Sequence, residues 1–172
     1  MTGKRVRVGV IFGGRSGEHE VSIRSARGVV SALDPARFEP VLIGIDRAGR
    51  WQLCDSRALL GAGGSDEAVG QGALVPTSAA RSLAAPTGKS LASEFAVEVF
   101  LPLVHGTYGE DGTLQGLLEM AGAAYVGSGV LGSSVGMDKD VSKRLLRDAG
   151  LPVVDYLVTR HPDQPDIVFE ER

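Results

Sequence analysis

The most constraining stretch of this 172-residue chain is its beginning. Val6-Arg7-Val8-Gly9-Val10-Ile11-Phe12 is β-rich and nearly all apolar, as a strand buried on both faces must be. Gly13-Gly14-Arg15-Ser16-Gly17 breaks it with turn residues. A helix follows, with Ile23, Ala26, Val30 and Leu33 on one side and Arg24, Arg27 and Ser31 on the other, and Asp34-Pro35 stops it. Phe38–Ile45 then reads as a second strand. Strand, helix and strand within about forty residues make a βαβ unit, whose crossover is right-handed by rule. The expected class is therefore α/β: an open, mostly parallel sheet flanked by helices.

Further along, Asp46–Arg50 is a turn and Trp51–Cys54 a short strand. From Asp55 to Glu94, Gly, Ala and Ser fill 21 of 40 positions, so 55–94 is expected to be a loosely structured insertion. Strand character returns over Phe95–Pro102. Leu114, Leu117, Leu118 and Ala121 mark an amphipathic helix ending at Gly122. Ala123–Val126 is expected as a short strand and Gly127–Gly136 as a turn region. Asp138 is placed to cap a last helix carrying Val141, Leu145 and Ala149, closed by Gly150 and Pro152. Val153–Val158 reads as one more strand.

Composition excludes several classes. A single cysteine, Cys54, rules out an internal disulfide framework and any multi-cysteine zinc site. No apolar run reaches the ~20 residues that span a bilayer, and the first residues lack the apolar core of a signal peptide, so a cytoplasmic protein without membrane attachment is expected. Net charge is −3, with a mildly basic first fifty residues. That bias suits an anionic ligand but is too thin in Lys and Arg clusters for nucleic acid.

Two nucleotide motifs fail. A G-x-G-x-x-G run needs glycine at position 12, which is Phe12, and Gly88-Lys89-Ser90 lacks the earlier glycine and the preceding strand of a phosphate-binding loop. Three loops carry chemistry instead. The Gly-rich turn after the first strand offers free backbone N–H groups at the carboxyl edge of the sheet, where open α/β sheets bind ligands. Glu18 would stand at its lip, able to hold a ligand ammonium. Alternatively, Glu18 and Glu20 simply complement the helix dipole. His105, ending a buried strand, could orient or neutralise a carboxylate, or be a structural histidine. Glu110 and Asp111 fit helix capping better than metal binding. Lys139, in the first turn of the last helix, gains from an anionic partner such as phosphate; the other reading is a solvated surface lysine.

Four segments together closely resemble the N-terminal part of D-alanine–D-alanine ligases. They are Phe12-Gly13-Gly14-Arg15-Ser16-Gly17-Glu18-His19-Glu20-Val21-Ser22, His105-Gly106-Thr107-Tyr108-Gly109-Glu110-Asp111-Gly112-Thr113-Leu114-Gln115-Gly116, Tyr125-Val126-Gly127-Ser128-Gly129-Val130 and Met137-Asp138-Lys139. Their order and spacing match as well, and the likeness covers the chain apart from 55–94. That family is of the ATP-grasp type. The resemblance implies an α/β domain over 1–137 and the start of a central ATP-binding domain over 138–172. It implies ligation of two D-alanines for peptidoglycan through a D-alanyl phosphate, with ATP and Mg²⁺ (or Mn²⁺) as cofactors, in a homodimer. By position, Glu18 matches the glutamate that holds the first D-alanine's ammonium and Val21 a residue near its methyl group. His105 matches the histidine beside that substrate, and Lys139 a lysine on ATP phosphate.

Members of that family are about twice as long as this chain. The resemblance places the metal-binding carboxylates, most ATP contacts and the choice of second substrate in the other half. These 172 residues alone are therefore expected to bind Mg-ATP weakly or not at all and to lack ligase activity. Two further readings stay open: a substrate-binding or dimerisation module, and a related D-alanine–D-lactate or D-serine type ligase.

Overall fold

The computed structural model describes residues 4–54 and 97–158. The 55–94 segment, the start of the Phe95–Pro102 strand and the acidic tail lie outside the described residues. The elements in chain order are β1 (Val6–Gly13), α1 (His19–Ala32), β2 (Phe38–Ile45), β3 (Trp51–Cys54), β4 (Val99–Pro102), α2 (Thr113–Met120), α3 (Val130–Met137) and α4 (Lys139–Asp148).

One four-stranded sheet runs in the order β3-β2-β1-β4. β1 pairs in parallel with β2, from Val6 opposite Phe38 to Gly13 opposite Ile45, and with β4, from Val8 opposite Val99 to Ile11 opposite Pro102. β3 is the one antiparallel member, returning along β2. The chain thus winds to one side of β1 first and to the other side later. That reversal puts a topological switch point between β1 and β4, the place where ligands of open α/β sheets bind.

Two cores cover the two faces. Val8, Val10, Phe12 and Leu42 pack with Ile23 and Ala26 of α1. Ile11, Ile43, Ile45 and Phe100 pack with Leu114 and Leu118 of α2. The alternation along β1 is the period-two pattern of a strand sandwiched between helix layers. Gly9 faces the second core, and a Cβ there would come within 2.8 Å of the Phe100 ring. Glycine at this position is what lets a large aromatic ring lie across the centre of the sheet.

Three expectations need correction. Ala123–Val126 is not a strand: it makes a single parallel bridge, Phe100 to Tyr125. Residues 127–136 are not all turn, because Val130–Met137 is helical. Its Gly- and Ser-rich composition hides the helix, which is held by one local contact, buried Ser133 donating to Ser128 O, and one tertiary contact, Ser134 Oγ donating to Asp111 O at 2.8 Å. Residues 153–158 are irregular, with no neighbouring strand among the described residues to pair with.

Candidate active site

The loops after β1 and β4 leave the sheet side by side at the switch point, and α1 sews them together. Ser22, fully buried, accepts from Gly13 N at 2.8 Å and donates to Leu103 O at 2.6 Å. Ser16 Oγ donates to His105 O at 2.8 Å. Gly13 adopts φ +90°, a Cβ there would fall 2.2 Å from Ile45 O, and Gly14 N donates to that same carbonyl at 2.7 Å. A side chain could not be accommodated there.

Glu18 is the residue preceding α1, yet its side chain makes no capping hydrogen bond. Its carboxylate lies over the next loop instead: a Cβ on Gly106 would stand 3.1 Å from Glu18 Oε2. Glu20, by contrast, pairs with Arg47 at 3.4 Å. Val21, three residues after Glu18, is 42 % exposed on the first turns of α1.

His105 is half-buried between two elements. Its Nε2 lies 3.2 Å from Ser25 Oγ of α1, and its Nδ1 3.5 Å from Glu110 Oε1 of its own loop. Glu110 Oε2 also accepts from Gly106 N at 2.7 Å. Glu110 therefore folds back on the loop rather than capping α2. Asp111 does the local work at the start of α2: it accepts from Tyr108 N at 2.8 Å, from Thr113 N at 3.0 Å and from the Thr113 hydroxyl. Partial burial opposes its charge, but these donors outweigh it and hold the carboxyl below the usual range.

A cavity of about 400 Å³ opens beside this loop. His105, Glu110, Gln115, Ser128, Ser133 and Lys139 are among the residues that line it. The structure thus brings two expected residues, His105 and Lys139, to one cavity, while Glu18 and Val21 do not line it. Lys139 Nζ donates to Gly136 O at 2.8 Å. An ammonium has three donors, so two remain to face an anion. A second hollow, about 250 Å³, lies across the loop between Trp51, Leu114 and Tyr108. Tyr108 holds φ 66°, with the Arg15 guanidinium 5.4 Å from its ring centre. Among the described residues there is no group of three or more His, Cys, Asp or Glu able to hold a metal ion. No described helix is long and apolar enough to cross a membrane.

Sequence reasoning missed Ser16, Ser22 and Ser25. A serine at helical spacing carries no chemical signature of its own; the only hint is that Ser22 and Ser25 share the α1 face of Glu18.

Residues 7–128 match the family described as "D-ala D-ala ligase N-terminus". A D-alanine–D-alanine ligase B of Bradyrhizobium diazoefficiens is 50 % identical over 163 residues, covering 91 % of this chain and 42 % of that protein. The structure of the D-alanine–D-alanine ligase from Coxiella burnetii matches with TM-score 0.70 and 35 % identity, over 89 % of this chain and 44 % of that one. The ligase from Bacillus anthracis, complexed with ATP, matches with TM-score 0.60 and 29 % identity, over 94 % and 43 %. The chain thus spans less than half the length of these relatives. Four motifs, a switch-point cleft and these matches converge: the chain belongs to the family of D-alanine–D-alanine ligase N-terminal regions.

Proposed function

We propose that this chain is the substrate-side portion of an ATP-dependent ligase that joins two D-alanines for cell-wall peptidoglycan. The observation that carries the reading is the meeting of the Glu18 carboxylate with the His105–Glu110 loop at the β1/β4 switch point. An α-amino acid presents an ammonium and a carboxylate a few ångströms apart. Glu18 supplies the acceptor for the first by a charge-assisted hydrogen bond. His105 stands beside the second as a donor or a cation. Val21, exposed on the same helix, is the apolar neighbour for a methyl group.

ATP, when bound, supplies the phosphoryl group that turns a carboxylate oxygen into a leaving group. The residues present fit one edge of it: Lys139, with spare donors at the cavity wall, would hold a phosphate oxygen. They do not fit Mg²⁺ or Mn²⁺, since no acidic cluster stands among the described residues. The reading therefore places the metal ligands in the portion of the relatives that this chain does not span. It also places a domain boundary near 137/138, a homodimer, and a cytoplasmic location.

The test is D-alanine-dependent phosphate release from ATP by the full-length gene product, with Glu18→Gln alongside. The neutral amide loses a hydrogen bond worth about 1.5–3 kcal/mol, so KM for the first D-alanine should rise roughly 10- to 150-fold. An unchanged KM would return Glu18 to a helix-dipole role, and no release by the wild type would overturn the proposal.

A further inference from the structure

His105 has a polar neighbour at each ring nitrogen, a hydrogen bond from Ser25 at Nε2 and the Glu110 carboxylate 3.5 Å from Nδ1, and the two differ in kind. Glu110 offers Nδ1 only acceptors, which favours a proton on that nitrogen. Ser25 faces Nε2 with a hydroxyl, which can donate or accept. With the neutral ring protonated at Nδ1, on the side of Glu110, Ser25 would donate to the Nε2 lone pair. In the imidazolium the Nε2–H donates to Ser25 Oγ, after a rotation of the hydroxyl alone. Ser25 is thus a partner that fits either charge state without movement of the ring.

Ser25 is also well anchored. It lies seven residues after Glu18 and three after Ser22, two helical turns and one turn respectively, so all three share a face of α1. Ser22 is fully buried and ties that face to Leu103 and Gly13. The helix that Glu18 leads into therefore also sets the angle of the His105 ring. The charged groups near the ring are Glu110 on its own loop and Glu18 over Gly106, and Lys139 lines the same cavity.

We infer that Ser25 is a positioning residue for His105: its hydroxyl fixes the tautomer and orientation of the imidazole and keeps Nε2 partnered when the ring gains a proton for an anionic ligand. The inference rests on the substrate reading above for its purpose, but not for its geometry.

The experiment is ¹⁵N NMR of the histidine side chains in the 172-residue chain, comparing wild type, Ser25→Ala and Ser25→Thr. The expected wild-type neutral ring is protonated at Nδ1. Ser25→Ala should shift the two His105 nitrogens toward a mixture of tautomers and leave buried His19 unmoved. Ser25→Thr, which keeps the hydroxyl, should restore the wild-type pattern. In the full-length protein, Ser25→Ala should lower kcat/KM for D-alanine about five- to tenfold, the effect of one lost neutral hydrogen bond, and Ser25→Thr should recover it. His105 shifts unchanged in Ser25→Ala would overturn the inference, and so would equal shifts at His19, which mark general loosening. A wild-type protein that released no phosphate with D-alanine would overturn the proposed function and leave the ring assignment standing.

Discussion

Asp111 shows how a single carboxylate can set a loop. It gathers the Tyr108 and Thr113 N–H groups and the Thr113 hydroxyl. Burial works against its charge, but these donors pull the carboxyl below its ordinary 3.8. Its contribution to stability is therefore complete above 3.8 and is lost as the pH falls through the lower folded value. Asp111→Asn should lower the melting temperature more at pH 7 than at pH 3. The effect should stay within about 1 kcal/mol, because the carboxylate is only partly buried and solvent still screens it. At this scale the sequence is readable where a residue type is chemically distinctive. Glu18, His105 and Lys139 stand out by charge and place. Glu110 is readable only as an acid near a helix start, since nothing in the sequence shows it turning back to Gly106 N. Ser25 has no distinguishing mark until α1 brings it to His105.

Helix α4 is a contrast to the sheet. None of its residues is buried, so its local stability depends on its ends. Asp138 accepts from Val141 N at 3.0 Å, and Gly150 closes the other end at φ 75°. Asp138→Ala should cost about 1 kcal/mol of local helix stability, seen as faster amide exchange over 139–149 with exchange in β1 unchanged. The same helix was fully legible in the sequence, because caps and a proline stop are local signals. So were β1, α1, β2 and β3, whose apolar patterns and turn residues agree. Helix α3 was not. Its glycines and serines read as a turn, and the contacts that make it a helix reach to Asp111, nineteen residues before its start. The expected strand at 153–158 fails for the complementary reason: extended propensity makes a strand only where a neighbour offers a ladder.

For the molecule as a whole, the cleft is assembled from segments far apart in the chain, while the proposed ATP and metal contacts need more than these segments supply. The isolated 172 residues should therefore release no phosphate from ATP and D-alanine. Measurable release by a sample of verified mass would sink that expectation. The sheet order has a consequence of another kind. β3 and β4, consecutive among the described strands, occupy opposite edges of the sheet, three strand spacings or about 14 Å apart. β1, β2 and β3 pair with their neighbours in sequence, whereas Val8 and its partner Val99 stand 91 positions apart (99 − 8). Contacts of that separation form slowly, so β4 should be the last strand to join. Pulse-labelled hydrogen exchange during refolding should then protect the β2 amides before those of β4. The cleft between β1 and β4 would come into being only with that final step, so the ability to recognise a ligand would be the last property the folding domain acquires.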